Sequence, residues 1–314
     1  MYKEKIMTAV GKSTGKIILM GEHSVVYGQP AIAMPFSAVE ITARVTAQGD
    51  ALSVTCDFYK GLVHKMPKIW EGLKHAIRFS LYRIGAPTDP AIHIEITSTI
   101  PAERGMGSSA AVAVAVARAL FAYYKKELMD SELWDIVQSS EKIAHGNPSG
   151  IDAATTSGNS PIFFIKHQSI EPLHLHLHAY LVVADTGVTG NTLEAISDVA
   201  VLLKEKPEAI QLIDELGSLA KDAKEALAKD QAELLGRKMS RAHVLLQELG
   251  VSDPSLDQLV TLAQQAGALG AKLTGGGRGG CMIALARTIE DAQFIVQALS
   301  QAGARQTWIQ YLGE

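Results

Sequence analysis

The stretch 108–126, SSAAVAVAVARALFAYYKK, constrains the fold more than any other part of the sequence. Its apolar residues partly alternate, as in a strand, but alanine dominates and no glycine or proline interrupts the run. The predicted element is therefore a helix, with a serine as its N-cap and Lys125 and Lys126 near its end. Because this helix is apolar on nearly all sides, it should be buried, and the chain should fold around it.

A Gly-x-Gly loop precedes this helix and is a candidate phosphate site. The N-terminus of a buried helix offers N–H groups and the positive end of the helix dipole, and glycines let the backbone approach an anion. The loop is not a Walker A motif, which needs a lysine, nor a Rossmann fingerprint, which needs a third glycine. The candidate residues are Gly105, Met106, Gly107, Ser108 and Ser109. The alternative is a tight turn and cap without a ligand.

The length of 314 residues exceeds the usual size of one hydrophobic core, so two domains are expected. Short strand-like runs between about 160 and 185 mark the predicted crossing, which gives domains 1–170 and 171–314. A single large domain is the alternative. Strands and helices occur in groups rather than in strict alternation, so the predicted class is α+β.

Hydrophobic periodicity predicts the remaining elements. Short apolar or alternating runs predict strands at 16–20, 31–34, 39–47, 51–56 and 91–100. A four-residue apolar spacing predicts a helix within 67–85 that buries Ile69, Leu73, Ile77 and Leu81. Further helices are predicted over 133–146, through most of 192–248 and over 255–267. A glycine loop followed by a strand is predicted within 272–286.

Charge and cysteine content limit the classes of partner and compartment. The formal net charge is −4 and the Lys and Arg residues are scattered, so neither nucleic acid nor a membrane surface is an expected partner. Cys56 and Cys281 are far apart and lack metal-site spacing, which argues against a disulfide framework or a zinc site. The N-terminus lacks a secretory apolar region and no stretch is long enough to span a bilayer. A cytoplasmic protein that acts on small molecules is expected.

Residues 15–35, GKIILMGEHSVVYGQPAIAMP, place polar residues at both ends of an apolar run. Lys16 opens the predicted strand, and Glu22 and His23 follow Gly21 at its far end. Taken alone, a solvated strand end and an ordinary loop are the simpler explanation of these residues.

Residues 140–158, SEKIAHGNPSGIDAATTSG, carry a second polar group. Glu141 and His145 are one helical turn apart and therefore share a face. The run from Ser149 to Asp152 matches the capping box S-x-x-D, so Asp152 could be no more than a helix-cap carboxylate. On these residues alone, capping is the favoured explanation.

Together and in this order, the motifs resemble those of the GHMP kinases. The stretch P-x-x-x-G-M-G-S-S-A at 101–110 is similar to the ATP loop of that family, and KLTGGGRGGC at 272–281 to its C-terminal glycine motif. GKIILMGEHSVVYGQPAIA and EKIAHGNPSGID are most similar to segments of the branch that phosphorylates mevalonate. The resemblance implies a ribosomal-protein-S5-like N-terminal domain, a ferredoxin-like C-terminal domain and an active site in the cleft between them.

The resemblance also implies an activity. The expected reaction is ATP- and Mg²⁺-dependent phosphorylation of the primary hydroxyl of mevalonate, in isoprenoid biosynthesis. Phosphomevalonate or another small alcohol as the acceptor is the first alternative, and a catalytically silent nucleotide-binding regulator is the second. The oligomeric state stays open, with a homodimer as one option.

The same resemblance implies roles for individual residues. The phosphates would lie on Gly105 to Ser109, and Mg²⁺ would be held by Ser109 and Glu141. Asp152 would accept the proton of the acceptor hydroxyl, with Lys16 paired to it. Lys16 and Asp152 would thus contact the substrate as well as act in catalysis, and the acceptor pocket would also contain Glu22 and His23. Backbone N–H groups and Mg²⁺ can supply the positive charge that a loop lysine supplies elsewhere.

Two other features have simpler interpretations. Arg278 interrupts the C-terminal glycine run, where it could reach a phosphate, although a solvated side chain is slightly favoured. His174, His176 and His178 alternate and would share one strand face. Without a carboxylate or cysteine beside them, an exposed face is favoured over a metal site.

Overall fold

The computed structural model describes residues 7–48, 50–146 and 148–313. Residues 1–6, which contribute to the expectation about the N-terminus, and Asn147 of the acidic segment lie outside the described residues. The strands in this part of the chain are β1 (Thr8–Met20), β2 (Ala31–Thr46), β3 (Ser53–Cys56), β4 (Tyr59–Leu62), β5 (His93–Ser98), β6 (Ile162–Phe164), β7 (Glu171–Pro172), β8 (His176–Asp185), β9 (Gly270–Thr274), β10 (Cys281–Ala286) and β11 (Gln306–Gly313). The helices are α1 (Glu71–Ile84), α2 (Ser108–Tyr123), α3 (Asp130–His145), α4 (Ile151–Ser157), α5 (Thr192–Glu205), α6 (Ile210–Ala228), α7 (Ala232–Glu248), α8 (Pro254–Gln265) and α9 (Ile289–Gln301).

The chain folds into two compact units, each built from separate stretches of sequence. Unit 1 comprises residues 1–15, 39–100 and 107–159, and unit 2 comprises residues 16–38, 101–106 and 160–314. Strands β1 and β2 therefore contribute residues to both units. The boundary at residue 170 stays a prediction.

Unit 1 packs helices α1 to α4 beside strands in the order β4-β3-β5-β2. Helix α2 is the core of this unit, as the alanine-rich run predicts, because its residues are buried on almost every side. Small side chains on α2 let β1 approach closely. A Cβ added to Gly11 would lie 2.2 Å from the carbonyl oxygen of Ala115, so only glycine fits there.

Unit 2 contains a four-stranded antiparallel sheet in the order β11-β8-β10-β9. If these four strands are numbered 1 to 4 along the chain, their order across the sheet is 4-1-3-2, which is the ferredoxin-like arrangement. Helices α8 and α9 pack on this sheet, and α6 and α7 pack against each other. The α+β class and the ferredoxin-like C-terminal part are thus confirmed. Among the described residues, no helix combines the length and apolar character that a membrane span requires.

The predictions for helix α1 and strand β2 differ from the structure. Helix α1 begins only at Glu71, after a single-turn 3-10 helix at Lys68–Trp70, so Ile69 is 85% exposed and lies outside the buried face. The strands predicted at 31–34 and 39–47 are one strand, β2, although Pro35 lies inside it. The β6 ladder ends at Ala33 and the β5 ladder begins at Ile41, so neither needs the N–H that proline lacks.

Candidate active site

The glycine loop of residues 105–107 leads directly into helix α2. Gly105 and Gly107 have φ angles of 72° and 71°, the left-handed region that glycine adopts without strain. Gly107 is the N-cap residue, and no side chain within the described residues caps this helix. The predicted serine N-cap is therefore wrong. Ser108 and Ser109 are the first two helical residues, and Ser109 is exposed beside the first-turn N–H groups, as an anion or oxygen-ligand site requires.

In unit 2 the first half of this loop contacts the C-terminal glycine motif. A Cβ on Gly275 would lie 2.8 Å from the carbonyl oxygen of Gly105, so both backbones approach closely because neither has a side chain. The Met106 carbonyl accepts a hydrogen bond of 2.9 Å from the N–H of Lys16. The start of the loop, the first motif and the last motif are therefore neighbours within one unit.

Lys16 is a buried mid-strand residue of β1, which begins at Thr8 rather than at Lys16. Glu22 and His23 are buried as well, in the short segment between β1 and a 3-10 helix at Ser24–Tyr27. The solvated strand end and ordinary loop considered from sequence are thus wrong. Charged and polar groups in such positions need partners, because burial without them is costly.

Glu22 is paired with Lys272, and both side chains are fully buried. The Lys272 ammonium donates to Oε1 of Glu22 and, over 2.7 Å, to the carbonyl of Leu273. Burial raises the pKa of the Glu22 carboxyl and lowers the pKa of Lys272, while each partner opposes the shift of the other. Lys16 adds a second positive charge that acts on Glu22.

His23 is held by the glycine motif. Its Nε2 lies 3.1 Å from the carbonyl oxygen of Gly276, which can only accept, so Nε2 carries the proton and donates. Burial lowers the pKa of His23 to about 4, so the ring is neutral at neutral pH. Nearby, the Thr274 hydroxyl accepts from the N–H of Ile18 and donates to its carbonyl. The first motif is thus bonded to the last at several points.

In unit 1, Glu141 lies on α3 and is buried, with Nε2 of His145 3.7 Å from its Oε2. This confirms the shared helical face. Asp152 is half-buried in the first turn of α4, whose N-cap is Gly150 at φ 94°. Ser149 lies before the N-cap, so the capping box is not formed and capping does not explain Asp152. Helices α2, α3 and α4 pack against one another and carry Ser109, Glu141 and Asp152 in one unit.

Two buried ion pairs could not be found from the sequence. Lys272 is the charged residue of a fully buried strand, which is a signal for a buried partner. Arg104 directly precedes Gly105, and its Nε donates to Oδ1 of Asp185 over 2.8 Å. Neither partner could be identified from sequence, because each lies about 80 or more positions away.

Arg278 is not simply solvated. Its NH1 lies 2.6 Å from Oδ2 of Asp198, and its Nε and NH2 donate to the carbonyl of Gly250. The slightly favoured prediction for this side chain is therefore wrong, because two acidic residues of α5, Asp198 and Glu194, lie beside it.

The three alternating histidines lie on an exposed face, as expected. His178 pairs with Asp230 over 3.1 Å. In the described ranges, no group of three or more His, Cys, Asp or Glu side chains is arranged to hold a metal.

The comparison with known proteins identifies the family. Residues 70–159 match the family model of the GHMP kinases N terminal domain, and residues 223–305 match that of the GHMP kinases C terminal domain. The chain therefore belongs to the GHMP kinase family.

Within the GHMP kinase family, the chain is similar to individual mevalonate kinases. Mevalonate kinase of Pyrococcus horikoshii is 36% identical over 306 residues, covering 88% of this chain and 88% of that protein. Mevalonate kinase of Thermococcus gammatolerans is 36% identical over 320 residues, covering 95% of this chain and 94% of that protein. The crystal structure of L. major mevalonate kinase in complex with R-mevalonate matches with a TM-score of 0.84 at 29% identity, covering 99% of each chain. The chain is thus similar to mevalonate kinases over nearly its whole length.

Proposed function

We infer that this protein has mevalonate kinase activity, the ATP-dependent transfer of a phosphoryl group to the primary (C5) hydroxyl of mevalonate. The observation that carries this function is the similarity to mevalonate kinases over 88% to 95% of the chain. The geometry supports it, because unit 2 brings Lys16, Glu22 and His23 to the C-terminal glycine motif and to the start of the phosphate loop.

Phosphoryl transfer proceeds through a loose transition state and depends mainly on positioning and charge stabilisation. We propose that Gly105, Met106, Gly107, Ser108 and Ser109 bind the phosphates through backbone N–H groups at the start of α2. The absence of a side-chain cap in the described residues supports this proposal, because it leaves the first-turn N–H groups available to an anion.

Mg²⁺ is the metal that the family implies, and the residues fit it. A hydroxyl and a buried carboxylate are hard oxygen donors, and Ser109 and Glu141 lie on helices α2 and α3, which pack together. We propose these two residues as its protein ligands. When bound, the ion would neutralise charge on the phosphate oxygens.

The acceptor hydroxyl requires a group that takes its proton, because an alcohol is a weak nucleophile at neutral pH. We propose Asp152 for this role, since its position in the first turn of α4 is not explained by helix capping. Lys16 would stabilise the developing alkoxide and keep Asp152 ionised. Glu22 and His23 would line the acceptor pocket, where the neutral ring of His23 adds no charge. A cytoplasmic location is a further part of this proposal.

A substrate panel tests the function. Purified protein is incubated with ATP, Mg²⁺ and one acceptor, and ADP release is followed in a coupled assay. We expect rapid release with mevalonate and little with phosphomevalonate, galactose or homoserine. A preference for phosphomevalonate would reassign the acceptor. ATP binding without ADP release for any acceptor would favour the silent regulator.

A further inference from the structure

Arg104 is the cation nearest in sequence to the phosphate loop, yet its side chain is only 7% exposed. Its Nε donates to Oδ1 of Asp185 over 2.8 Å, and Asp185 itself is 2% exposed. NH1 donates to the carbonyl of Ala102 over 3.1 Å, and NH2 donates to the carbonyl of Gly187 over 3.0 Å. All of these residues belong to unit 2. The guanidinium is therefore bonded to protein acceptors on each of its three nitrogens.

Asp185 ends strand β8 and shapes the turn that follows. Its Oδ1 also accepts from the N–H of Gly187 over 2.8 Å, which bends the chain after the strand. The N–H of Gly190, further along this turn, donates to the carbonyl of Glu103 over 3.3 Å. The turn at 185–190 is thus bonded to the loop at 102–104 through both side chains and backbone.

The C-terminal glycine motif closes this arrangement. The N–H of Gly280 donates to the carbonyl of Val188 over 2.8 Å, and the Gly280 carbonyl accepts from the Thr186 hydroxyl over 2.8 Å. A Cβ on Gly280 would lie 2.9 Å from the carbonyl oxygen of Arg104, so the backbones are in direct contact. Three separate segments therefore meet around one buried ion pair.

A buried ion pair contributes little to stability compared with apolar residues of similar size, so the effect of this pair lies in the hydrogen bonds with which it joins the loop to the turn. Arg suits this role because its planar fork holds several acceptors at set angles. We propose that Arg104 and Asp185 are positioning residues for the phosphate loop. They fix the backbone of residues 102–104, which lead into Gly105, so that the loop has its binding conformation before the nucleotide arrives. The positive charge of Arg104 is balanced by Asp185, so the Arg104 side chain does not bind phosphate.

This inference rests on the proposed function, so wild-type ADP release with mevalonate is measured first. The variants are Arg104→Met, Arg104→Lys, Asp185→Asn and the double variant Arg104→Met/Asp185→Asn. The readouts are kcat, KM for ATP, KM for mevalonate, and the Kd of ATP without an acceptor, which needs no turnover. Arg241→Met is the matched control, since Arg241 forms an exposed pair with Glu215.

If the variants displace the loop, we expect KM and Kd for ATP to rise by about tenfold or more in each single variant, with KM for mevalonate nearly unchanged. The double variant should be no worse than a single one, because either change breaks the same unit. Arg104→Lys should not recover activity, because one ammonium cannot replace the fork. The control should match the wild type.

The contrary results are equally specific. If Arg104 bound phosphate by charge, Arg104→Lys would be near wild type and Asp185→Asn would lower the Kd of ATP. If the pair were only structural, Tm would fall while both KM values stayed unchanged, and a lower temperature would restore full activity. Either pattern overturns the proposal. If the wild type itself releases no ADP with mevalonate, the proposed function fails, while the Kd of ATP still tests the loop.

Discussion

Replacing Lys272 by methionine should destabilise the protein strongly. The side chains of Lys272 and Glu22 are both 0% exposed, so the variant leaves a carboxylate buried without its cation. Breaking such a pair by removing one partner costs about 3–5 kcal/mol, because the remaining charge is uncompensated. Methionine fills most of the lysine volume, so little of this cost comes from a cavity. For a protein of this size the loss corresponds to a Tm decrease on the order of 10 °C.

The loss of stability in Lys272→Met should depend on pH, and the pKa of Glu22 decides whether it grows or shrinks as the pH rises. Without Lys272, burial holds the folded-state pKa of Glu22 above its unfolded value of 4.5. A raised folded-state pKa means that stability is retained at low pH and lost as pH rises through the folded pKa. The difference between wild type and Lys272→Met should therefore grow as the pH rises above the unfolded value of 4.5 toward the raised folded-state pKa of Glu22, at up to about 1.4 kcal/mol per pH unit.

Calorimetric Tm values at several pH values measure this effect. The double variant Glu22→Gln/Lys272→Met is the control, since it removes both charges, and it should recover much of the stability and lose the pH dependence. If Lys272→Met costs less than about 1 kcal/mol, or costs the same at every pH, the assignment of a buried, mutually dependent ion pair is refuted.

Three further predictions concern the site. Asp152→Asn should lower turnover by about 10²-fold or more while ATP still binds, and near-normal turnover would remove Asp152 from the proton transfer. Burial lowers the pKa of His23 to about 4, so the unfolded state binds more protons than the folded state between pH 6.5 and 4. The free energy of unfolding should therefore fall by about 3 kcal/mol as the pH is lowered from 6.5 to 4. Thermal melts of His23→Asn should show a smaller acid loss, and an equal loss would contradict the assignment. Gly275→Ala should abolish activity because its Cβ would meet the loop backbone, whereas Gly303→Ala, also at positive φ but with open space, should stay active.

Local patterns predicted the elements well where a single physical requirement decides them. The run at 108–123 had to be a buried helix because no polar face exists to expose, and the structure confirms this. The exposed histidine face of β8 followed from simple alternation. The prediction that Ile69 is buried was wrong, because Ile69 lies in a 3-10 turn before α1. Four-residue spacing does not show where a helix begins.

The candidate site was only partly predictable, for a different reason. Motif order located Lys16, Glu22 and His23, but nothing in their neighbourhood indicated that they are buried. The buried positions of Glu22 and His23 are satisfied by Lys272 and Gly276, which are about 250 positions away. The same holds for Arg104, whose partner Asp185 is supplied by a strand from another part of the chain. Long-range charge pairing leaves no local periodicity.

The way unit 2 is assembled has a consequence for how such genes can evolve. The two members of each buried ion pair come from different halves of the reading frame, since Glu22 and Arg104 precede residue 160 while Lys272 and Asp185 follow it. A crossover between two diverged genes in the middle of the frame would join a first half from one parent to a second half from the other. If the parents differ at either pair, the hybrid inherits a buried charge without its counter-ion. Each pair should therefore be inherited together, and chimeras should survive only where both pairs match.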